Sequence, residues 1–372
     1  MSTQPLRYAL VGGAATIAGE HTQAIAALSS ARLAAIADIN AEKGSERASE
    51  LGCAFYTDYR ELLAQERPDV VAVCTPHPSH AEITIAALEA GSHVLCEKPL
   101  ASVLSEADAM IDAAERTGKL LAVNFQQRFR PEIEYARALI AGGELGELVR
   151  SLCIAPWLRT HAYFRTASWR GTWQGEGGGV LLNQAPHTID LFIYLAGMPS
   201  RVWGITRTVR QPIATEDVAS VLLEYGNGAQ GYFVASTVEA GPLGRIELVF
   251  ENGILVLAKG SIQRYAFTPG LTEHIRTSPK PFAEPEVREV PVELPAGRAT
   301  HVEVYADFDR AVREGSVPRT PGREGLWSLE FSSAAILSSY TDRSVTLRVD
   351  RQEYDALIAR LIEEEGAAEP TP

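Results

Sequence analysis

The first 125 residues constrain the fold most: short, unbroken apolar runs alternate there with amphipathic stretches of helical spacing. Strands are expected at Arg7–Gly12, Leu33–Asp38, Val70–Cys74, His93–Cys96 and Leu120–Val123, with helices over Ile17–Ser29, Ala41–Leu51, Ala81–Ala90 and Ser105–Thr117. Strands that are apolar throughout suit a sheet buried on both faces. The pattern therefore predicts an α/β fold with a doubly wound parallel sheet. After about Asn124 the texture changes. A helix over Glu132–Ala141 precedes longer alternating runs: Leu148–Ala155, Arg201–Arg207, Val218–Tyr225, Ala229–Ser236 and Ile246–Leu257. These suit a second α/β domain with a large open, mostly antiparallel sheet covered on one face. Helices over Thr300–Glu314 and Arg323–Tyr340, a strand at Val345–Val349 and a helix over Gln352–Glu365 complete it. The polar, proline-rich stretch Pro269–Pro295 reads as a surface excursion, and Met1–Pro5 and Gly366–Pro372 as loose tails. The expected division is 1–125, 126–365 and a tail, 366–372.

Charge narrows the partners. The net charge is −13 with no dense Lys/Arg block, which argues against a nucleic-acid partner, since phosphate binding needs a basic surface. No apolar run approaches the roughly 18–20 residues that span a bilayer, and no secretory leader is visible. Cys53, Cys74, Cys96 and Cys153 lie scattered in apolar surroundings, as buried thiols would in a reducing compartment. A soluble cytoplasmic protein is expected.

Directly after the first strand comes Gly12-Gly-Ala-Ala-Thr-Ile-Ala-Gly. It is a degenerate form of the glycine-rich turn that lets a backbone approach a pyrophosphate at a helix N-terminus. A turn that binds nothing is the bland alternative. Asp38 closes the second strand, where a carboxylate accepts from both ribose hydroxyls and repels a 2′-phosphate; Ile39-Asn40 offers no arginine to reverse this. That favours NAD over NADP, with a helix cap as the alternative role for Asp38. Cys74-Thr-Pro-His-Pro-Ser-His80 has spacing reminiscent of zinc ligands. It lacks a fourth ligand and begins in a buried strand, so the preferred reading is a loop over the nicotinamide and no metal. His80 serves equally well as a structural histidine.

The next strand ends in Glu97-Lys98-Pro99. Ligands bind outside the carboxyl ends of such strands, and an ammonium fixed there hydrogen-bonds a substrate hydroxyl. A solvated surface lysine is the alternative. Far along the chain, Asn183 and His187 are four apart and share a face if a helix starts near Asn183. His187 is the candidate base, with a core histidine as the rival reading. The run Gly177–Gly179 signals close backbone approach, and Trp169 and Trp173 suggest an apolar sugar platform. Ile189 and Asp190 are expected to dock the helix.

Together the glycine turn, Asp38, TPHPSH, EAGSHVLCEKPLA, NFQQRF and GGGVLLNQAPHTIDLF resemble the Gfo/Idh/MocA family over essentially the whole chain. The resemblance implies an N-terminal Rossmann domain and a C-terminal α/β domain whose sheet mediates dimers or tetramers. It also implies NAD(P)-dependent oxidation or reduction of a sugar or cyclitol carbinol, with Lys98 and His187 catalytic. The cofactor set it suggests is Gly12, Gly13, Ala14, Ala15, Thr16, Ile17, Asp38, Thr75, Pro76, His77, His80, Glu97, Lys98 and Asn124. Many members carry Asp four residues before the histidine, whereas this chain has Asn183. An amide orients a group but holds no negative charge.

The expected reaction is a reversible alcohol dehydrogenation. His187 removes the hydroxyl proton, Lys98 polarises the oxygen and Asn183 orients the substrate. Arg128, His161, Tyr163, Arg165, Trp169 and Arg170 are candidates for lining the sugar pocket. Arg159, Arg165 and Arg170 would serve a nucleotide-sugar 3-dehydrogenase by binding a diphosphate. A non-catalytic NAD-sensing regulator is the rival from another class; it need keep neither Lys98 nor His187.

Overall fold

The computed structural model describes residues 4–297 and 299–367. Its first sheet has six parallel strands: β1 (Leu6–Val11), β2 (Ala31–Ala37), β3 (Ala54–Tyr56), β4 (Val70–Val73), β5 (His93–Cys96) and β6 (Leu121–Val123). They run in the order β3-β2-β1-β4-β5-β6. Helices Ala18–Ala27, Ala41–Leu51, Tyr59–Glu66, His80–Glu89 and Leu104–Thr117 make the crossovers. β1 and β4 are buried along nearly their whole length, as doubly covered strands must be. The short β3 and the helix after it carry no clear apolar period and were not expected from the sequence. The strand order reverses between β1 and β4, so their carboxyl ends open the crevice where such sheets bind ligands.

The second sheet has nine strands: β7 (Leu148–Pro156), β8 (Arg201–Arg207), β9 (Val218–Glu224), β10 (Gln230–Ser236), β11 (Arg245–Phe250), β12 (Gly253–Ala258), β13 (Ser261–Thr268), β14 (Glu286–Val290) and β15 (Val345–Thr346). The order is β14-β13-β12-β11-β7-β10-β9-β8-β15. β7 and β10 are parallel and the other described pairs antiparallel. Burial alternates strictly along β8, the mark of a sheet with one covered face. On that face Phe233 of β10 packs against Phe192 of helix Pro186–Ala196 and Phe331 of helix Gly322–Thr341. The other face shows Trp203, Ile205, Leu222 and Tyr232 to solvent.

Two sequence expectations change, and a third, the surface excursion, gains elements of its own. The run Ile246–Leu257 is a hairpin, β11–β12, turning at Glu251-Asn252 with Phe250 opposite Gly253. Pro269–Pro295 contains helix Leu271–Thr277 and the edge strand β14 paired to β13. Asn183 and His187 do not share one helix. Val180–Gln184 forms a wide turn closed by Ala185 N–H donating to Val180 O (2.8 Å), and the helix proper starts at Pro186. Proline lacks the N–H that would continue the preceding turn and suits a first helical position.

The last helix, Arg351–Ala367, extends through Gly366 and Ala367, the first residues of the expected tail; the rest of that tail, like Met1–Thr3, lies outside the described residues. Helix His301–Glu314, capped by Thr300 and Glu303, returns to the first sheet. There Tyr305 stacks near Tyr8 (5.2 Å), and Tyr8 Oη donates to Asp309. No helix among the described residues is long and apolar enough to cross a membrane.

Candidate active site

The carboxyl edge of the first sheet brings together the turn after β1, the loop after β4 and the ends of β5 and β6. Gly12 takes φ +87°, and a Cβ there would lie 2.9 Å from the Cys74 carbonyl carbon, so only glycine fits. Ala14 N–H donates to Asp38 Oδ2 (2.9 Å) and Asn40 N–H to Asp38 Oδ1 (2.9 Å). Asp38 is therefore a clamp on the turn and not a helix cap, which Asn40 supplies through Lys43 N–H. Gly13, Ala14, Ala15 and Thr16 line a cavity of about 320 Å³ that also receives Lys43 and Arg47. The sequence reading looked only at Ile39-Asn40. One helical turn further on, two cations reach the site together with the carboxylates of Glu46 and Glu50. Arg47 is already engaged by Glu50 and the Thr22 hydroxyl.

The loop after β4 is built from its own contacts. Ser79 Oγ donates to Thr75 Oγ1 (2.7 Å), and the two His80 ring nitrogens meet the Pro99 and Thr75 carbonyls at 2.9 and 2.8 Å. The His77 ring lies 3.2 Å from the Glu176 carbonyl and is held neutral, its pKa near 3, chiefly by burial. His80 thus spends both nitrogens on carbonyls. Among the described residues the group able to offer three metal ligands is a different one: His21, Glu97 and His301, within 4.8 Å of one another. Hydrogen bonds close that group. Glu97 Oε1 accepts from His21 Nε2 (2.9 Å) and from Asn124 Nδ2, and His21 Nδ1 meets the Tyr305 hydroxyl at 2.7 Å. Burial pushes the Glu97 pKa up, but donation from His21, His301 and Asn124 outweighs it and holds the carboxyl well below its ordinary range.

Lys98 leaves the same strand end and reaches across to the second half of the chain. Its Nζ donates to the main-chain oxygen of Asn183 at 3.0 Å. Burial lowers its pKa, while Glu97 and Glu176 oppose that and Arg170 and Arg159 add to it. His187 sits edge-on to Phe125, 5.8 Å between centroids, with Nδ1 buried and without a partner. Its pKa falls to about 3 through burial, then through the Lys98 charge, so the ring is neutral at pH 7. Asn124 Oδ1 is likewise buried without a partner, and His301 Nε2 stands 3.6 Å from Glu97 Oε1.

Gly177–Gly179 does impose close approach, but to the chain itself. A Cβ on Gly179 would fall 1.9 Å from the Glu216 carbonyl oxygen, and the Glu216 carboxylate accepts from Gly179 and Leu181 N–H at 2.8 and 3.0 Å. Just before this run, Glu176 is fully buried, accepting from Gly171 N–H (2.8 Å) and from Asn183 Nδ2. Sequence reading passed over Glu176 because the glycines around it drew the argument. Tyr163 Oη receives the Asn183 and Gln184 amides at 3.3 Å each, and Arg170 lies over both the Tyr163 and Trp169 rings. Trp169 faces His77, 6.0 Å between ring centroids.

Two pocket candidates, Arg128 and Trp173, fall away. Arg128 is buried, donating to Asp190 at 2.9 and 2.6 Å, to Glu324 and to Arg319 O. It ties helix Pro186–Ala196, through Asp190, to helix Gly322–Thr341, with its side chain fully buried. Asp190 docks its helix as expected. Trp173 is buried, its indole N–H donating to Ala214 O (3.1 Å), so it belongs to the core and not to a sugar platform. His161 and Arg165 are exposed on the short helix His161–Phe164 and its end. Wide clefts of about 820 and 490 Å³ lie elsewhere, so cleft size does not mark this site.

Residues 6–125 match the oxidoreductase family with an NAD-binding Rossmann fold, and residues 133–256 match the GFO/IDH/MocA C-terminal domain. The D-glucoside 3-dehydrogenase of Escherichia coli (strain K12) is 32% identical over 207 residues, 54% of this chain and 56% of that protein; the match spans just over half of that relative's length. Among solved structures, the WlbA dehydrogenase from Bordetella pertussis in complex with NADH and UDP-GlcNAcA aligns with a TM-score of 0.79 and 26% identity, over 93% of this chain and all of that one. Levoglucosan dehydrogenase in complex with NADH aligns with a TM-score of 0.78 and 25% identity, also over 93% and all of that chain.

Proposed function

The chain belongs to the GFO/IDH/MocA oxidoreductases, and from that premise we propose that it is an NAD-dependent dehydrogenase of a sugar, sugar derivative or cyclitol. The observation that carries the reading is the meeting of Lys98, from the end of β5, with the Asn183–His187 segment of the second half. The site fits a dinucleotide on local grounds. Gly12 leaves no room for a side chain beside Cys74, the Asp38 carboxylate stands at the second strand end, and Asn124 Oδ1 is buried without a partner. When bound, the cofactor supplies the nicotinamide that exchanges hydride with the carbinol carbon.

In this reading Lys98 donates to the substrate hydroxyl and lowers its pKa. His187, neutral at pH 7 and only partly buried, takes the proton through the side of its ring opposite the buried Nδ1. The Asn183 amide orients the sugar, and Tyr163, Trp169 and Arg170 wall the pocket. Glu97 is fixed as an anion behind Lys98 and opposes the loss of its charge. Asp38 favours NAD over NADP by repelling a 2′-phosphate, against the pull of Lys43 and Arg47. The apolar outer face of the second sheet, with Ile205 60% and Leu222 52% exposed, is the surface for a homodimer or homotetramer. Four unpaired cysteines fit a reducing compartment such as the cytoplasm.

A second reading, a nucleotide-sugar dehydrogenase, draws on Arg159 and Arg165, which have no carboxylate partner among the described residues. One experiment separates these. Purified protein is given NAD or NADP and a panel of sugars, cyclitols and nucleotide sugars, and reduced cofactor is followed by absorbance. Turnover with a free sugar or cyclitol, unaffected by UDP, supports the first reading. Turnover confined to nucleotide sugars, inhibited by UDP, supports the second. No reduction with any of them contradicts both.

A further inference from the structure

Glu176 has a position that the reaction as described does not use. Short helix Trp173–Glu176 is capped by the Thr172 side chain, which accepts from Gly175 N–H (2.9 Å), and its last residue turns a carboxylate inward. Oε2 takes the Gly171 N–H at 2.8 Å and Oε1 takes the Asn183 amide, while the Glu176 main-chain oxygen meets the His77 ring. Asn183 in turn offers its main-chain oxygen to Lys98 Nζ at 3.0 Å. A carboxylate, an amide and an ammonium are thus linked in one line.

We propose that Glu176 is the positioning residue of this site: its carboxylate, and not one on residue 183, supplies the negative charge that fixes Asn183 and, through the Asn183 main-chain oxygen, the Lys98 ammonium. Asn183 cannot carry that charge. Its Nδ2 hydrogens donate, one to the Tyr163 hydroxyl and one to Glu176, and only the second bond is charge-assisted. The groups facing Glu176 are Arg170, 3.9 Å away, the Lys98 ammonium, the Tyr163 phenol beyond the Asn183 amide, the His77 ring and the buried Glu216. Burial lifts the Glu176 pKa to about 7 against the pull of Gly171 N–H, Arg170 and Asn183, so its charge changes across neutral pH. His187, with a pKa near 3, does not change there. Activity should therefore rise as pH rises through about 7 as Glu176 ionises.

The test has two arms, of which the kinetic one rests on the dehydrogenase reading. Glu176→Gln, nearly isosteric, should lower kcat about tenfold, as expected for the loss of one charge-assisted bond, and should flatten the limb of the pH profile near 7. Asn183→Asp, which sets two carboxyls in contact, should also lose activity. The double variant, Glu176→Gln with Asn183→Asp, restores one amide–carboxylate pair with its polarity reversed and should recover most of the loss. Losses that simply add overturn the proposal. The second arm needs no sugar. The lysines are Lys43, Lys98, Lys119, Lys259 and Lys280. Reductive ¹³C-dimethylation followed by NMR titration reads each one, with Lys98→Met assigning the Lys98 signal. The Lys98 midpoint should fall in Glu176→Gln because an opposing charge is gone; an unchanged midpoint overturns the proposal. If no sugar is oxidised but the midpoint falls, only the dehydrogenase reading fails.

Discussion

Glu97 and Glu176 stand on either side of Lys98, one at the end of a parallel strand and the other at the end of a four-residue helix in the second half. Both are buried, at 7% and 0% exposure, yet they are shifted in opposite directions. Two imidazoles and an amide converge on Glu97 and hold it ionised. Glu176 receives one peptide N–H and one amide, and its nearest cation is 3.9 Å away, so desolvation wins. Burial sets the size of the electrostatic stake; the number and charge of the donors set its sign. One side of the lysine is pinned, and the other responds to pH.

The largest effect that sharpens this contrast comes from the proposed base, His187. His187→Ala should lower kcat by about 10²- to 10⁴-fold, the usual worth of a positioned base, with cofactor affinity retained in a binding titration. Next is Glu97→Gln, which leaves the His21 and His301 rings without their anion. Unfolding by denaturant should show a loss of about 2 kcal/mol. Because the folded pKa of Glu97 is depressed, that stability is present above the ordinary pKa of 4.5 and is lost as pH falls through the folded value. The loss in the variant should thus be constant from neutral to alkaline pH and shrink in acid.

Glu176→Gln should do the opposite. A carboxyl whose folded pKa is raised to about 7 contributes fully below 4.5 and loses that contribution as pH rises through 7. The variant should gain about 2 kcal/mol on wild type between pH 5 and 8, on top of the constant offset from the weaker hydrogen bonds of the amide. Parallel pH curves for the two carboxylate variants would break the comparison. Smallest is Asp38→Asn. It keeps one acceptor for the Ala14 N–H and should relax the NAD to NADP ratio of kcat/KM by several-fold to about tenfold, read from initial rates with each cofactor.

Features set by local pattern could be read from the sequence. The all-apolar runs placed β1, β4 and β5, and the abrupt Glu97-Lys98-Pro99 after such a run placed Lys98 at the carboxyl edge of the first sheet. Alternation placed β7 to β10. What escaped depended on distant partners. Arg128 looked like a pocket cation, but Asp190 and Glu324, 62 and 196 positions away, consume its charge. The His21–Glu97 pair spans 76 positions and the His21–Tyr305 pair 284. Other misses were legible. Asn252-Gly253 inside an apolar run is a turn signal, and it splits β11 from β12. Pro186 marked a helix start that the Asn183–His187 spacing ignored. Glu176 sits between Gly175 and Gly177, and a lone acid inside a glycine-rich segment that must pack tightly has few places to go but inward.

The dehydrogenase account stands or falls on Lys98, and a paired measurement on wild type and Lys98→Met tests it most directly. NAD binding is titrated by fluorescence, and sugar-dependent formation of reduced cofactor is followed under the same conditions. The account predicts equal NAD affinity and turnover in wild type alone; equal turnover in both proteins would contradict it.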